Sequence, residues 1–341
     1  MYDPNLPYRS ARAPVAAANL VATSQPLAVQ AGLRVMQQGG NAVDAALAAA
    51  ITLTVVEPNN NGLGSDAFCL LWDGSEVVGL NASGRSPAGW TADRFSGLQK
   101  MPELGWDSVT VPGAVSSWVK LSDKYGQLAF ADLFESAIEY AEGGFLVGPE
   151  TAFYWQRLES YYAGFDAFSE HFLPAPRAGQ LFKRPDLARS LRLIAETKGA
   201  AFYQGELAEA MVAASTAQGG CLALQDLVSH TADWVEPIKQ AYKQVELHEI
   251  PPNGQGLAAQ IALGILQYLP DQPLDSTAEV HQQIEAMKIA TAAAAGRFAD
   301  AAAMTVSVEE LLDPASLRRA AASITERAMA LPPAVLPVGY D

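Results

Sequence analysis

The chain has 341 residues, half of them apolar and 17% charged, with 37 acidic against 22 basic side chains and a formal charge of −15. That length buries a large core in one or two domains, and so high an apolar fraction excludes disorder for most of the chain. The negative charge disfavours nucleic acid and anionic membrane surfaces as partners, because neither releases counterions to a surface of its own sign.

Residues 1–14 carry three prolines and no apolar period, which predicts an extended arm and not a domain. From Ser24, taken as a cap, Pro26 suits a first helical turn, and Leu27, Ala31 and Val35 recur at helical spacing up to the glycine stop at Gly39 and Gly40. Asn41 caps a second helix, with Asp44 placed to answer it; the run of alanines from Ala45 to Ala50 makes that helix small on nearly every side, so it must be tightly buried. After Glu57 and Pro58 comes the loop Asn59 to Asp66, rich in Asn and Gly, then Ala67 to Trp72, Asp73-Gly74 and Ser75 to Leu80, the pattern of a hairpin. The loop lacks the Lys-Ser/Thr of a phosphate-binding loop, and acidic Asp66 opposes an anion there.

Residues 107–150 predict a valine-rich strand, a Pro-Gly turn and two helices separated at Gly126 and stopped at Gly143 and Gly144. Trp155, Tyr161, Tyr162 and Phe165 fall close together, which burial tendencies assign to core more readily than to a ligand wall. Helical pattern returns from Pro185 to Ala217, strands are expected between Trp234 and Ile250, and the loop Pro251 to Gly256 leads into an apolar helix from Leu257 to Leu269. Ser276 and Glu279 are spaced as a capping box, and Val280, Ile284, Met287 and Ala294 predict the buried stripe of the next helix.

Cys69 and Cys221 leave one pairing open but make neither a disulfide framework nor a metal-ligand spacing, and His171, His230, His248 and His281 are too scattered to ligate together. The longest apolar stretch, Ala45 to Val56, is too short to cross a bilayer core of ~30 Å, and the N-terminus shows no signal-peptide pattern, so the chain reads as soluble, in the cytoplasm or periplasm. No Gly-x-Ser-x-Gly, no Cys with a nearby His and no paired carboxylates in glycine-rich turns offer a nucleophile. The chain finishes on the apolar, Pro-rich segment Leu331 to Asp341. A tail lying on a partner that begins where it stops is one account of it, and a disordered terminus is the other.

Several segments converge on a family. GLRVMQQGGNAVDAALAAAITLTVVEP, NNGLGSDAF, VTVPGAVSSW, KYGQLAFADLFESAIEYAEGGFLV, AFYQGELAEAMV, GGCLALQDL, IPPNGQGLAAQ and EAMKIATAAAAGRFAD occur in this order across nearly the whole chain. Together they resemble the large subunit of the gamma-glutamyltransferases and their relatives among the N-terminal-nucleophile (Ntn) amidohydrolases, including the glutaryl-type cephalosporin acylases. The resemblance implies an α+β fold, a four-layer αββα sandwich in which this chain is the helix-rich share. Residues 1–341 would then be the large (alpha) subunit of one domain, completed by a small (beta) subunit cut from the same precursor after Asp341. It further implies a catalytic Thr at the N-terminus of that small subunit, acting on a small-molecule amide, with no catalytic residue in this chain and no metal or organic cofactor.

The family's gamma-glutamyltransferases set an Arg, in the pattern Arg-Glu-x-Ala-Pro, against the substrate's α-carboxylate. An ungapped match through Pro87 puts Ser83 at that position and Gly84 at the acid, leaving Arg85 as the only cation nearby. Ser83 and Arg85 are therefore the candidate substrate-binding residues, and Arg85 reads either as a bidentate carboxylate clamp or as a structural tie to a carbonyl or acid. The departure weighs against transferase activity more than against amidase activity. A γ-glutamyl or glutaryl amidase, a glutaryl-7-aminocephalosporanic acid acylase, and a noncatalytic binding subunit with an aromatic pocket around Trp155 and Tyr161 are the readings carried forward.

Overall fold

The computed structural model describes residues 15–330, so the arm expected at 1–14 and the segment ending at Asp341 lie outside the described residues. In chain order the elements are α1 (Pro26–Gln37), α2 (Ala42–Val56), β1 (Ala67–Trp72), β2 (Val77–Ala82), α3 (Ala114–Tyr125), α4 (Glu135–Gly143), β3 (Phe145–Leu146), α5 (Pro149–Tyr162) and α6 (Asp166–Phe172). They continue with β4 (Leu181–Phe182), α7 (Pro185–Glu196), α8 (Ala200–Gln204), α9 (Glu206–Ala217), α10 (Leu224–Val228), β5 (Asp233–Val235), β6 (Ile238–Tyr242) and β7 (Val245–Glu249). The last are α11 (Gly256–Leu266), α12 (Thr277–Ala294), α13 (Val308–Leu311) and α14 (Pro314–Ser323). Helix dominates, and the class is α+β. Two compact units result: one holds the described residues through Ser65 with Ser86–His230, the other Asp66–Arg85 with the described residues from Thr231 onward.

In the first unit α1 and α2 form where their caps and spacing place them. The N-cap of α1 is Gln25 and not Ser24: the longer side chain reaches the Leu27 amide, while the Ser24 hydroxyl donates to the nearly buried carboxylate of Glu57 at 2.8 Å. Asn41 accepts from the amides of Val43 and Asp44, and Asp44 answers the Asn41 amide at 3.0 Å, so the expected capping box is complete. Ten of the fifteen residues of α2 are buried. Its alanines let α1 approach so closely that a Cβ added to Gly32 would lie 2.9 Å from the Ala45 carbonyl oxygen.

The valine-rich strand expected after residue 107 does not form. Val109 has extended dihedrals, but the segment joins no sheet among the described residues, and Val111 is instead buried with Ala208, Leu222 and Leu227. Burial by helices here replaces a ladder. Gly126 ends α3 and Gly144, at φ +93°, ends α4, as their positions suggest. Trp155 is core: 1% exposed, it donates its indole N–H to the Phe172 carbonyl at 3.0 Å and meets the Phe182 ring at 4.7 Å. Tyr161 is 48% exposed, so the two do not line a common aromatic pocket.

In the second unit β1, β2 and β5 form an antiparallel sheet in that order, with Trp72 opposite Val77 and Asn81 opposite Asp233. The hairpin is the expected one, but its loop is four residues long and β2 runs to Ala82: Asp73 accepts from the amides of Ser75 and Glu76, closing a wider turn than Asp-Gly alone. The shift is two residues, so each side chain keeps its face. β1 is an edge of this sheet, and Phe68, Leu70 and Trp72 stand exposed in a row along it.

The core of this unit lies between α11, α12 and α14, where Leu257, Ile261, Ile265, Ile289 and Leu317 are buried together. The stripe expected on α12 is the wrong one. Val280, Ile284 and Met287 are 44%, 51% and 45% exposed, Ala294 is not among the helix's buried residues, and the buried face is Glu285, Ala286, Ile289, Ala290 and Ala293. Small side chains win the close packing against α11, and Glu285 joins that face because its charge is answered by Lys288 at 2.7 Å and the Met329 amide at 3.1 Å. Ser276 caps α12, accepting from the Glu279 amide, but the Glu279 carboxylate reaches Asp275, one residue before the expected partner.

Candidate functional site

The chain leaves β2 at Ala82 into the stretch that carries both candidate residues. Asn81 accepts from the Ser83 amide at 2.9 Å, starting a tight turn, and Gly84 continues it at φ +80°, a conformation costly for any residue with a Cβ. The reversal returns Arg85 toward β5, the strand paired with the one it has just left. There the β2–β5 register sets Asp233 opposite Asn81, and the guanidinium donates to Asp233 Oδ2 at 2.7 Å and to the Thr231 carbonyl at 3.0 Å. The two side chains are 56% and 53% exposed, so the pair lies at the surface of its unit.

Ser83 meets a different partner. Asn253, in the loop between β7 and α11, donates its amide to Ser83 Oγ at 3.0 Å, and its carbonyl oxygen accepts from Asn81 Nδ2 at 3.0 Å. Gly256 starts α11 where the Glu249 carboxylate crowds in: an added Cβ would fall 2.4 Å from Glu249 Oε2. A carboxylate at a helix N-terminus is favourably placed, and α11 begins three residues after Asn253. Ser83 and Arg85 are thus close in chain but answer to different elements. Around them stand three polar residues the sequence reading did not single out, namely Asn81, Asp233 and Asn253.

The other candidates are quiet. In the Asn-Gly loop the Gly62 amide donates to Ser65 Oγ at 3.0 Å and the Ser65 amide to the Gly62 carbonyl at 3.1 Å, so both amides are engaged within the loop. Cys69 and Cys221 are both free thiols, and burial pushes the Cys69 thiol above its ordinary value, making it a poor nucleophile. Among the described residues no group of three or more His, Cys, Asp or Glu side chains is arranged to hold a metal ion, and no helix is long and apolar enough to cross a membrane. The cluster thus offers one guanidinium, engaged by Asp233 and the Thr231 carbonyl, beside a set of amide and hydroxyl groups.

These elements belong to a recognisable class of protein. The chain is a member of the gamma-glutamyltranspeptidase family, whose model matches residues 28–337, and its helix-rich α+β fold is that of the family's Ntn hydrolases. It is 34% identical to the glutathione hydrolase-like YwrD proenzyme of Bacillus subtilis over 330 residues, 94% of this chain and 62% of that protein. A solved cephalosporin acylase from Bacillus halodurans superposes with a TM-score of 0.88 at 41% identity, covering 96% of this chain and 64% of that one. A gamma-glutamyltranspeptidase from Pseudomonas nitroreducens, solved with L-DON, gives 0.87 at 27% identity and covers 95% of this chain and 99% of that one. The chain thus spans less than two thirds of the first two and nearly all of the third.

Proposed function

We propose that residues 1–341 are the large subunit of a self-processed amidohydrolase that cleaves γ-glutamyl or glutaryl amide bonds, completed by a small subunit from the same precursor. The observation that carries this reading is the near-complete coverage of the Pseudomonas nitroreducens chain, against 62% of the YwrD proenzyme. The nucleophile is the hydroxyl of a threonine at the N-terminus of the small subunit, with that residue's own α-amino group as base. The hydroxyl oxygen attacks the amide carbonyl carbon as its proton passes to the α-amino group, the resulting ammonium gives that proton to the scissile nitrogen as the tetrahedral adduct collapses and expels it as an amine, and water hydrolyses the ester to free acid and threonine. This chain contributes a binding wall in which Arg85 takes the acyl group's carboxylate and Ser83 a polar atom beside it.

A cephalosporin acylase is the second reading, favoured by the 41% identity to the Bacillus halodurans enzyme and by Ser83 at the position where gamma-glutamyltransferases carry Arg. Both readings share the glutaryl-like acyl group and differ in the leaving amine. The full coding sequence, expressed and purified, is expected to give two chains by intact mass, the smaller with an N-terminal Thr. A single uncut polypeptide that hydrolyses amides with full activity rejects the proposal. Comparing turnover of γ-glutamyl-p-nitroanilide with that of glutaryl-7-aminocephalosporanic acid separates the two readings.

The role of Arg85 has its own test. A charge-assisted hydrogen bond is worth ~1.5 to 3 kcal/mol, so Arg85→Ala should raise KM for glutaryl-p-nitroanilide about tenfold or more while changing that for pentanoyl-p-nitroanilide by less than about twofold. Equal loss on both substrates removes Arg85 from the acyl site.

A further inference from the structure

The guanidinium assigned to the substrate already holds a carboxylate. Arg85 reaches Asp233 at 2.7 Å and the Thr231 carbonyl at 3.0 Å through its two terminal nitrogens, the pair of donors that a planar carboxylate engages side by side. Resting on the reading of Arg85 as the acyl-carboxylate clamp, we propose that Asp233 is a specificity-determining residue that competes with the substrate's carboxylate for that guanidinium and so sets how strongly acidic acyl groups are preferred over neutral ones.

Three features of the geometry support this role over a merely structural one. The ion pair is half-exposed on both sides, and exposed pairs contribute little to folding, so the site can exchange one carboxylate for another at small cost. Asp233 is held by its strand: its register opposite Asn81 keeps its charge at the mouth of the turn whether or not Arg85 is engaged elsewhere. The neighbouring cluster, Asn81, Ser83 and Asn253, has amide and hydroxyl groups but no charge of either sign. A neutral acyl chain therefore meets the same partners with or without Asp233, whereas an acidic one must displace Asp233 and then lie beside it. Like charges at that spacing repel, so acid selectivity is attenuated and broad acyl acceptance follows.

The test uses the mature two-chain enzyme and measures binding of glutarate and of pentanamide by calorimetry, which needs no turnover. Asp233→Asn is expected to tighten glutarate about fivefold, the factor an exposed ion pair can contribute, and to leave pentanamide unchanged. Asp233→Glu, which restores the competing charge, should return glutarate affinity toward the parent value. Added to Arg85→Ala, Asp233→Asn should tighten glutarate by less than it does in the parent, because the competition for the guanidinium is gone. Glutarate binding that is unchanged or weakened in Asp233→Asn overturns the role of Asp233 while leaving the clamp intact, provided Arg85→Ala weakens it. Insensitivity of glutarate to Arg85→Ala overturns both the clamp and the inference built on it.

Discussion

Asp44→Ala is expected to destabilise the first unit by about 3 kcal/mol, read as a fall in the urea midpoint with an unchanged slope. Asp44 is fully buried, and its carboxylate ties two regions far apart in sequence. It closes the capping box at the Asn41 amide, 3.0 Å away, and accepts from the amides of Gln127 at 3.0 Å and Leu128 at 3.3 Å, just past the end of α3. Gly126 makes room for it: a Cβ there would meet Asp44 Oδ1 at 3.1 Å and the Ser122 carbonyl at 2.5 Å. Alanine leaves three amides without their acceptor, and bonds to a charged group are the stronger kind. Asp44→Asn keeps the shape but turns an NH2 group toward those donors, so it should recover less than half of the loss. A cost below about 1 kcal/mol for alanine would mean that water replaces the carboxylate, and the tie between α2 and the chain after α3 would count for little.

Lys288→Met should cost about 2 to 3 kcal/mol, because it strands a buried carboxylate. Glu285 is almost wholly buried on α12, and Lys288 Nζ bridges from it to the Met329 carbonyl at 2.8 Å. The figure is set below that for a fully buried pair because Lys288 keeps 35% of its side chain in solvent. The double variant Glu285→Leu with Lys288→Met removes both charges and should recover most of the loss; a double variant as unstable as the single one would rule out the stranded charge as the cause. The ammonium holds the Glu285 carboxyl below its ordinary value. The folded value thus lies below the unfolded one, so the pair stabilises above the unfolded value and loses this contribution as pH falls through the lowered one. The gap between parent and Lys288→Met should accordingly be full at about pH 7 and shrink in strong acid, in urea titrations at both.

What the sequence discloses about this fold is what is local. The Asn41 and Asp44 box, the β1–β2 hairpin and the glycine stops all depend on residues within a few positions of one another. The α12 stripe misled because apolar size is a poor guide where close approach favours alanine, and because Glu285 enters the core only with partners three and forty-four residues away. The site follows the same division. Ser83 and Arg85 stand out as departures from a family pattern, but Asp233 reaches Arg85 across 148 positions and Asn253 reaches Ser83 across 170. Only strand pairing and the placement of a loop bring them together, and neither leaves a mark near residue 85. One signal was present: a lone cation in an acidic chain invites a carboxylate, although nothing local says which.

The ridge of Phe68, Leu70 and Trp72 along the outer strand has a bearing on how such a polypeptide can be made. A margin of backbone donors and acceptors that no other strand among the described residues pairs with, flanked by greasy side chains, is a template on which further copies can stack. Synthesised by itself, this length of chain would be prone to pile up margin against margin.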